Sequence, residues 1–320
     1  MTQAITRRAL GGAALATFAI GRARAAAPTE IRMDWATYNP VSLILKDQGL
    51  MESAFSGENI TVRWVQSAGS NKALEFLNAG SLDFGSTAGA AALIAKVNGN
   101  PVKTIYVFSR PEWTALVTGK DSPIKTVADL KGQRVAVTRG TDPHIFLVRA
   151  LAGAGLSEKD VKLVLLQHAD GRTAMERGDV VAWAGLDPMM AASEVESGAR
   201  LFFRKPEANT WGVLNVREEF AKANPALVKR VLSVYETARK WCLAHPAELK
   251  ASMMAATKLS DPVISKQLER TDLSSGTIGA VQAATIIEAG KALQAAGVLD
   301  EKLDMAAITS GMIDASYLPA

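Results

Sequence analysis

From Ile31 to Phe203 short apolar runs alternate with helical patterns, and Gly, Pro or Asn punctuates the joins. A period that keeps switching between two and 3.6 residues stacks helices on sheets, which fits neither a helical bundle nor a β-sandwich. Strands are predicted over 31–35, 60–65, 103–108, 114–118, 134–137, 162–166, 180–184, 201–203 and 211–216, with a short one ending at Asp83-Phe84-Gly85. Between them lie helices over Asn71–Leu77, Ala88–Val97 and Pro143–Ala154, and one opened by Asn39 as cap and Pro40 as first helical residue. Beyond Asn224-Pro225 the chain is predominantly helical. Its clearest amphipathic segment, Pro225–Ala244, lines up Leu227, Val231, Val234, Ala238 and Trp241 on one stripe.

The N-terminus has a different character. Arg7-Arg8 precedes an apolar run from Ala9 to Ile20, too short to span a bilayer, and Ala23-Arg24-Ala25 follows as a small-residue cleavage site. This predicts a twin-arginine signal peptide over residues 1–25, cleaved near Ala25, and export to the periplasm. Its removal changes the charge. The chain has 36 Lys+Arg against 32 Asp+Glu, and four of those arginines, with no acid, fall in the first 25 residues. The mature chain is therefore neutral, so the basic balance gives no reason to expect a nucleic-acid partner.

About 295 mature residues hide roughly three-quarters of the unfolded chain's surface, enough for two domains with separate cores. No second stretch of 18 apolar residues is present. Cys242 is the sole cysteine, which leaves no intramolecular disulfide and no signal-peptide cysteine for lipid attachment.

Three segments share one design, a strand followed by a Gly/Ser/Thr loop and then a helix: 84–89 (FGSTAG), 138–144 (TRGTDPH) and 183–188 (WAGLDP). Such loops aim free backbone N–H groups and a helix's positive end outward, and three at successive strand ends predict one shared crevice suited to an anion. Trp35, Tyr38 and Trp183 lie at or just after strand ends, where a pocket uses flat apolar walls. His144 is placed to donate to a ligand. His168 and His245 have no metal-ligand spacing. Cys242 lies inside a helix without a base partner, and no nucleophile elbow, phosphate loop or zinc-protease motif is found, so neither catalysis, a metal nor a cofactor is expected.

LNAGSLDFGSTAG (77–89), SPIKTVADLKGQRVAV (122–137), RGTDPHIFLVRAL (139–151) and GDVVAWAGLDP (178–188) together resemble the aliphatic-sulfonate, nitrate and taurine-type substrate-binding proteins of ABC importers. The resemblance implies a two-lobed α/β periplasmic-binding-protein fold of the type II, Venus-flytrap kind. Lobe one would comprise 26–115 plus 211–320 and lobe two 116–210, joined by a hinge of two crossing segments near Trp113–Thr118 and Asn209–Val213. It also implies a monomer that binds a small-molecule ligand between the lobes and docks on a membrane permease driven by an ATPase. The implied ligand-binding residues are Trp35, Tyr38, Asn39, Ser86, Thr87, Gly140, Thr141, Asp142, His144, Trp183 and Asp187. A periplasmic sensor subunit and an enzyme on the same bilobal fold are the alternatives.

This chain departs from the sulfonate pattern at Asp142-Pro143, where small hydroxyl residues are usual, and at Gly185-Leu186, where a second aromatic is common. Either aspartate could fold back as a helix cap or point into the cleft. The expected ligand is a small sulfonate or carboxylate with a second polar group, its acid end toward Ser86-Thr87 and Thr141.

Overall fold

The structure, a computed structural model, describes residues 28–318. The leader expected over residues 1–25 lies outside them. In chain order the strands are β1 (Glu30–Trp35), β2 (Thr61–Gln66), β3 (Phe84–Ala88), β4 (Val102–Pro111), β5 (Leu116–Thr118), β6 (Arg134–Val137), β7 (Lys162–Leu165), β8 (Ala182–Ala184), β9 (Arg200–Phe203), β10 (Gly212–Arg217) and β11 (Thr271–Asp272). They form two sheets, ordered β11-β4-β10-β3-β1-β2 and β7-β6-β8-β5-β9.

Both sheets repeat one plan. In each, three parallel strands (β2-β1-β3 and β7-β6-β8) are followed by an antiparallel strand entering from a crossing segment, and then by a strand antiparallel to that one. The chain passes between sheets twice, through 112–115 after β4 and through 204–211 before β10. This is the two-lobed α/β architecture with a two-segment hinge. Each sheet has its own core, one centred on Ile31, Met33, Phe84 and Phe108 and the other on Val135, Phe146, Leu147 and Leu151. Among the described residues no helix is long and apolar enough to cross a membrane.

The helix Pro40–Asp47 begins as its sequence dictates. Asn39 Oδ1 accepts from the Ser42 N–H at 3.2 Å, and Pro40 occupies the first turn, where no N–H is needed. The segment 84–89 departs from expectation, because Ser86 and Thr87 belong to β3, paired with Leu214 and Val213 of β10, and the helix begins only at Gly89. Gly, Ser and Thr are turn formers in isolation, but here they fit a fully enclosed strand that a larger side chain could not. A Cβ on Gly85 would come within 2.9 Å of Leu77 Cδ1. The helix His168–Glu176 and the two-residue β11 carry little apolar signal and were not expected.

The C-terminal helices bind the lobes together. Ala289 and Leu293 of the helix Ala280–Ala295 pack with Ala90 on one lobe and with Ile145 and Val148 of the helix Asp142–Gly153 on the other. Val263 of the helix Asp261–Glu269 meets Ala191 and Ala192 of the helix Met189–Ser197.

Candidate functional site between the two sheets

In each sheet the three parallel strands place their strand-to-helix loops on the carboxyl edge, where open α/β sheets bind ligands. The two edges face each other here. A cavity between them is lined by Tyr38 and Ser70 from the first sheet's loops, Trp113 from the hinge, and Thr141, Asp142, Pro143 and Leu186 from the second sheet's loops. Its free volume is about 10 Å³, room for a single water, so the lobes are closed on one another.

Tyr38 forms one wall, its ring edge-on to Trp113 at 5.8 Å and its hydroxyl donating to the Ser86 carbonyl at 3.0 Å. Asn39 lies deeper. Its Nδ2 donates to Ser86 Oγ at 2.7 Å and to Tyr235 Oη at 3.2 Å. Ser86 is fully committed, since its N–H and hydroxyl both donate to Asp34 at 2.8–2.9 Å. Burial lifts the Asp34 carboxyl to about 6 while those bonds pull it down. Thr87 is likewise held, accepting from Asn215 Nδ2 at 2.7 Å. The expectation that Ser86-Thr87 offers free N–H groups to an anion is therefore corrected: strand pairing and Asp34 consume them.

The second loop makes its turn at Gly140. Gly140 is left-handed at φ +76°, which glycine adopts without strain, and Thr141 turns its hydroxyl onto the Thr138 carbonyl at 2.6 Å. Asp142 follows neither course considered for it. Its carboxylate accepts from Trp113 Nε1 at 2.8 Å, Thr210 N at 3.0 Å and Thr210 Oγ1 at 2.8 Å, which clamps both crossing segments to the second lobe. Burial raises this carboxyl above its usual range against the pull of the three donors.

Asp187 folds back on its helix, accepting from the Ala191 N–H at 2.8 Å, and its other oxygen meets Arg270 Nη1 at 3.5 Å. Arg270 follows the helix Asp261–Glu269 on the first lobe and also pairs with Glu194 of the second, so it latches the lobes. Burial pushes the Asp187 carboxyl up to about 7, opposed by Arg270 and by the Ala191 N–H.

Three expected contacts sit elsewhere. His144 turns within its own lobe and meets Glu158 Oε1 at 2.9 Å, holding the Glu158 carboxyl below its usual range. Trp183 is wholly enclosed in the second lobe's core with Val117, Ala136, Met175 and Met190, because the bare Gly171 lets the helix His168–Glu176 close over its indole. Trp35 is half-buried beneath the Lys46 ammonium, 5.4 Å from its ring centroid, and does not line the cavity. The residues missed were Ser70, Trp113, Leu186, Thr210 and Arg270. Ser70 was legible as a fourth strand–loop–helix start after β2. Nothing local marks Arg270, whose role depends on how the C-terminal helices return.

Among the described residues no group of acidic, His and Cys side chains is arranged to hold a metal. Cys242 is buried, and burial pushes its thiol up to about 12, far from a thiolate nucleophile.

Comparisons with known proteins agree with this architecture. Residues 54–249 match the family model described as NMT1/THI5 like. A putative aliphatic sulfonates-binding protein of Escherichia coli (strain K12) is 31% identical over 268 residues, 83% of either chain. The alkanesulfonate-binding protein SsuA from Xanthomonas axonopodis pv. citri, solved bound to MOPS, superposes with a TM-score of 0.82 at 25% identity, covering 91% of this chain and all of that one. A desulfurization enzyme, DSZB, shares the fold alone, at 14% identity and a TM-score of 0.65 over 90% of this chain and 97% of its own.

Proposed function

The chain belongs to the NMT1/THI5-like family, and from that premise we propose that it is a periplasmic solute-binding protein that delivers a short aliphatic sulfonate to an ABC importer. The observation that carries this reading is the cavity closed between two sheets that share a five-strand plan, lined from both lobes and from the hinge. The lobes are taken as 26–115 plus 211–320 and 116–210. A solute larger than water enters when they part, and it stabilises the closed state through contacts that exist only there.

Helices Ser70–Asn78 and Asp142–Gly153 both begin at the cavity, and their free N–H groups and dipoles favour the sulfonate end at Ser70 and Thr141. Tyr38, Trp113 and Leu186 supply apolar wall for the alkyl part. The binding protein acts as a monomer and releases its ligand unaltered to a permease driven by an ATPase. It reaches the periplasm through the cleaved twin-arginine leader of residues 1–25.

Calorimetry against alkanesulfonates, sulfate, nitrate and carboxylates is the test, with mass spectrometry of the recovered ligand. Saturable binding of a sulfonate recovered unchanged is expected. Tightest binding to an inorganic anion, or turnover, would overturn the reading. Arg7→Lys with Arg8→Lys should leave uncleaved precursor in the cytoplasm.

A further inference from the structure

The helix Asp142–Gly153 starts at the cleft and ends, about 18 Å along its axis, at a second and larger cavity. This open groove has a volume of about 750 Å³, within the range of small-molecule sites, and shares no lining residue with the cavity between the sheets. Its buried floor is Val127, Phe146, Ala150 and Ala208, and Phe202 and Phe203 of β9 form one wall. β9 is the last strand of its sheet and pairs only with β5, so no further strand covers those half-buried rings. Another wall comes from the first lobe. It is Ala292 and Ala295 of the helix Ala280–Ala295, which Ile286 anchors against Leu93 and Met305. Small residues keep the space clear, and a Cβ on Gly153 would meet no atom within 4 Å.

The rim is cationic. Lys125, Arg149, Arg204 and Lys205 line the groove against a single carboxylate, Glu207. Arg204 is spent on Glu112, which it meets through two bonds of 2.7 and 2.8 Å. Among the described residues the other three cations form no ion pair. Arg149 Nη1 donates to the Ala208 carbonyl at 3.0 Å, which fixes the half-buried guanidinium beside the groove without neutralising it. The helices Asp142–Gly153 and Ala280–Ala295 both end here, and each end carries about half a negative charge. Together with Glu207 they offset part of the three free cations, and a positive excess remains. An inorganic anion would leave the phenylalanine rings wet, while a cationic amphiphile would meet like charge at the rim. An apolar body with an ionised acid head satisfies both.

We propose that this groove is a second ligand site, separate from the cleft, that takes an amphipathic organic anion. The apolar body lies on Phe146, Phe202 and Phe203 and reaches the alanines of the helix Ala280–Ala295. The acid head lies at Arg149, with Lys125 and Lys205 supplying the surrounding positive field.

The test is calorimetry with decanoate, decyltrimethylammonium and acetate, all below micellar concentrations, on the wild type, Arg149→Gln and Ala152→Trp. Decanoate should saturate one site on the wild type. It should bind about tenfold tighter than decyltrimethylammonium, which has the same tail and the opposite charge, and at least about tenfold tighter than acetate, which has the head alone. Arg149→Gln keeps an N–H for the Ala208 carbonyl but loses the charge, so decanoate should weaken about tenfold and decyltrimethylammonium should bind no more weakly than before. Ala152 is exposed at the groove, and an indole there fills the space, so Ala152→Trp should weaken decanoate more than about tenfold with the melting temperature little changed. Should that variant not fold, Ala295→Trp blocks the groove from the first lobe's wall with the same expectation. Three results overturn the proposal: no decanoate binding by the wild type, no preference over decyltrimethylammonium, or undiminished decanoate binding by the blocked variant.

Discussion

Asp142→Ala removes the one acceptor shared by Trp113 Nε1, Thr210 N and Thr210 Oγ1. Each bond to a charged acceptor is worth about 1.5–3 kcal/mol, and a donor left buried and unpaired costs about 1–3 kcal/mol. The sum is too large an estimate, because the native carboxylate is itself buried and its raised pKa records that cost. Water entering the neighbouring cavity would also satisfy one donor. A net loss of about 3–5 kcal/mol in folding stability is expected, the range for breaking a buried charged contact. Asp142→Asn should behave very differently. An amide oxygen in the Oδ2 position keeps Trp113 and the Thr210 N–H, and its NH₂ faces a hydroxyl that can turn to accept, so about 1 kcal/mol or less is lost. Urea denaturation of both variants measures the difference. Calorimetry should show the same ligand ranking in Asp142→Asn as in the wild type. If Asp142→Ala stays within about 1 kcal/mol of wild type while Asp142→Asn changes that ranking, Asp142 addresses the ligand and the hinge-clamp account is wrong.

Arg270→Gln strips both Asp187 and Glu194 of their cation across the closed cleft, so ligand affinity should fall about 10- to 100-fold with little change in lobe stability. Small-angle scattering should then find the liganded protein more open, and an unchanged affinity would refute the latch. Trp183→Ala should cost about 3–5 kcal/mol of stability by thermal or chemical unfolding, because the indole lies entirely in the second lobe's core. A variant as stable as wild type that binds weakly would place the ring in the cleft instead. The pH dependence of stability has opposing parts. His168, lowered to about 3 by burial, favours the native state above about 6.5, and that contribution is lost as pH falls from there toward 3, by about 1.4 kcal/mol per unit. Asp34 and Asp187, raised to about 6 and about 7, favour it at low pH and lose that contribution as pH rises through those values. Subtracting the His168→Gln stability curve from the wild type's should isolate the first part, and coincident curves below pH 6 would contradict it.

Much of this protein was legible along the chain because the information was local. Alternating runs marked many of the strands, and Asn39-Pro40 specified the start of a helix through the conformational limits of the residues themselves. Four unopposed arginines within residues 1–25 also located the source of the basic balance. The direction in which a side chain turns was decided by tertiary contacts. Ser86-Thr87 reads as a loop by composition, yet strand β10, 128 residues away in the case of Thr87 and Asn215, draws it into a sheet. Asp142 clamps the hinge and Trp183 fills a core because Thr210 and Gly171 stand where the fold puts them. Asp187 could be read as a cap from its own neighbours, but its partner Arg270 lies 83 residues on. Local sequence sets backbone conformation, whereas the identity of a buried charge's counter-ion is a property of the closed chain, and no pattern of neighbouring residues encodes it.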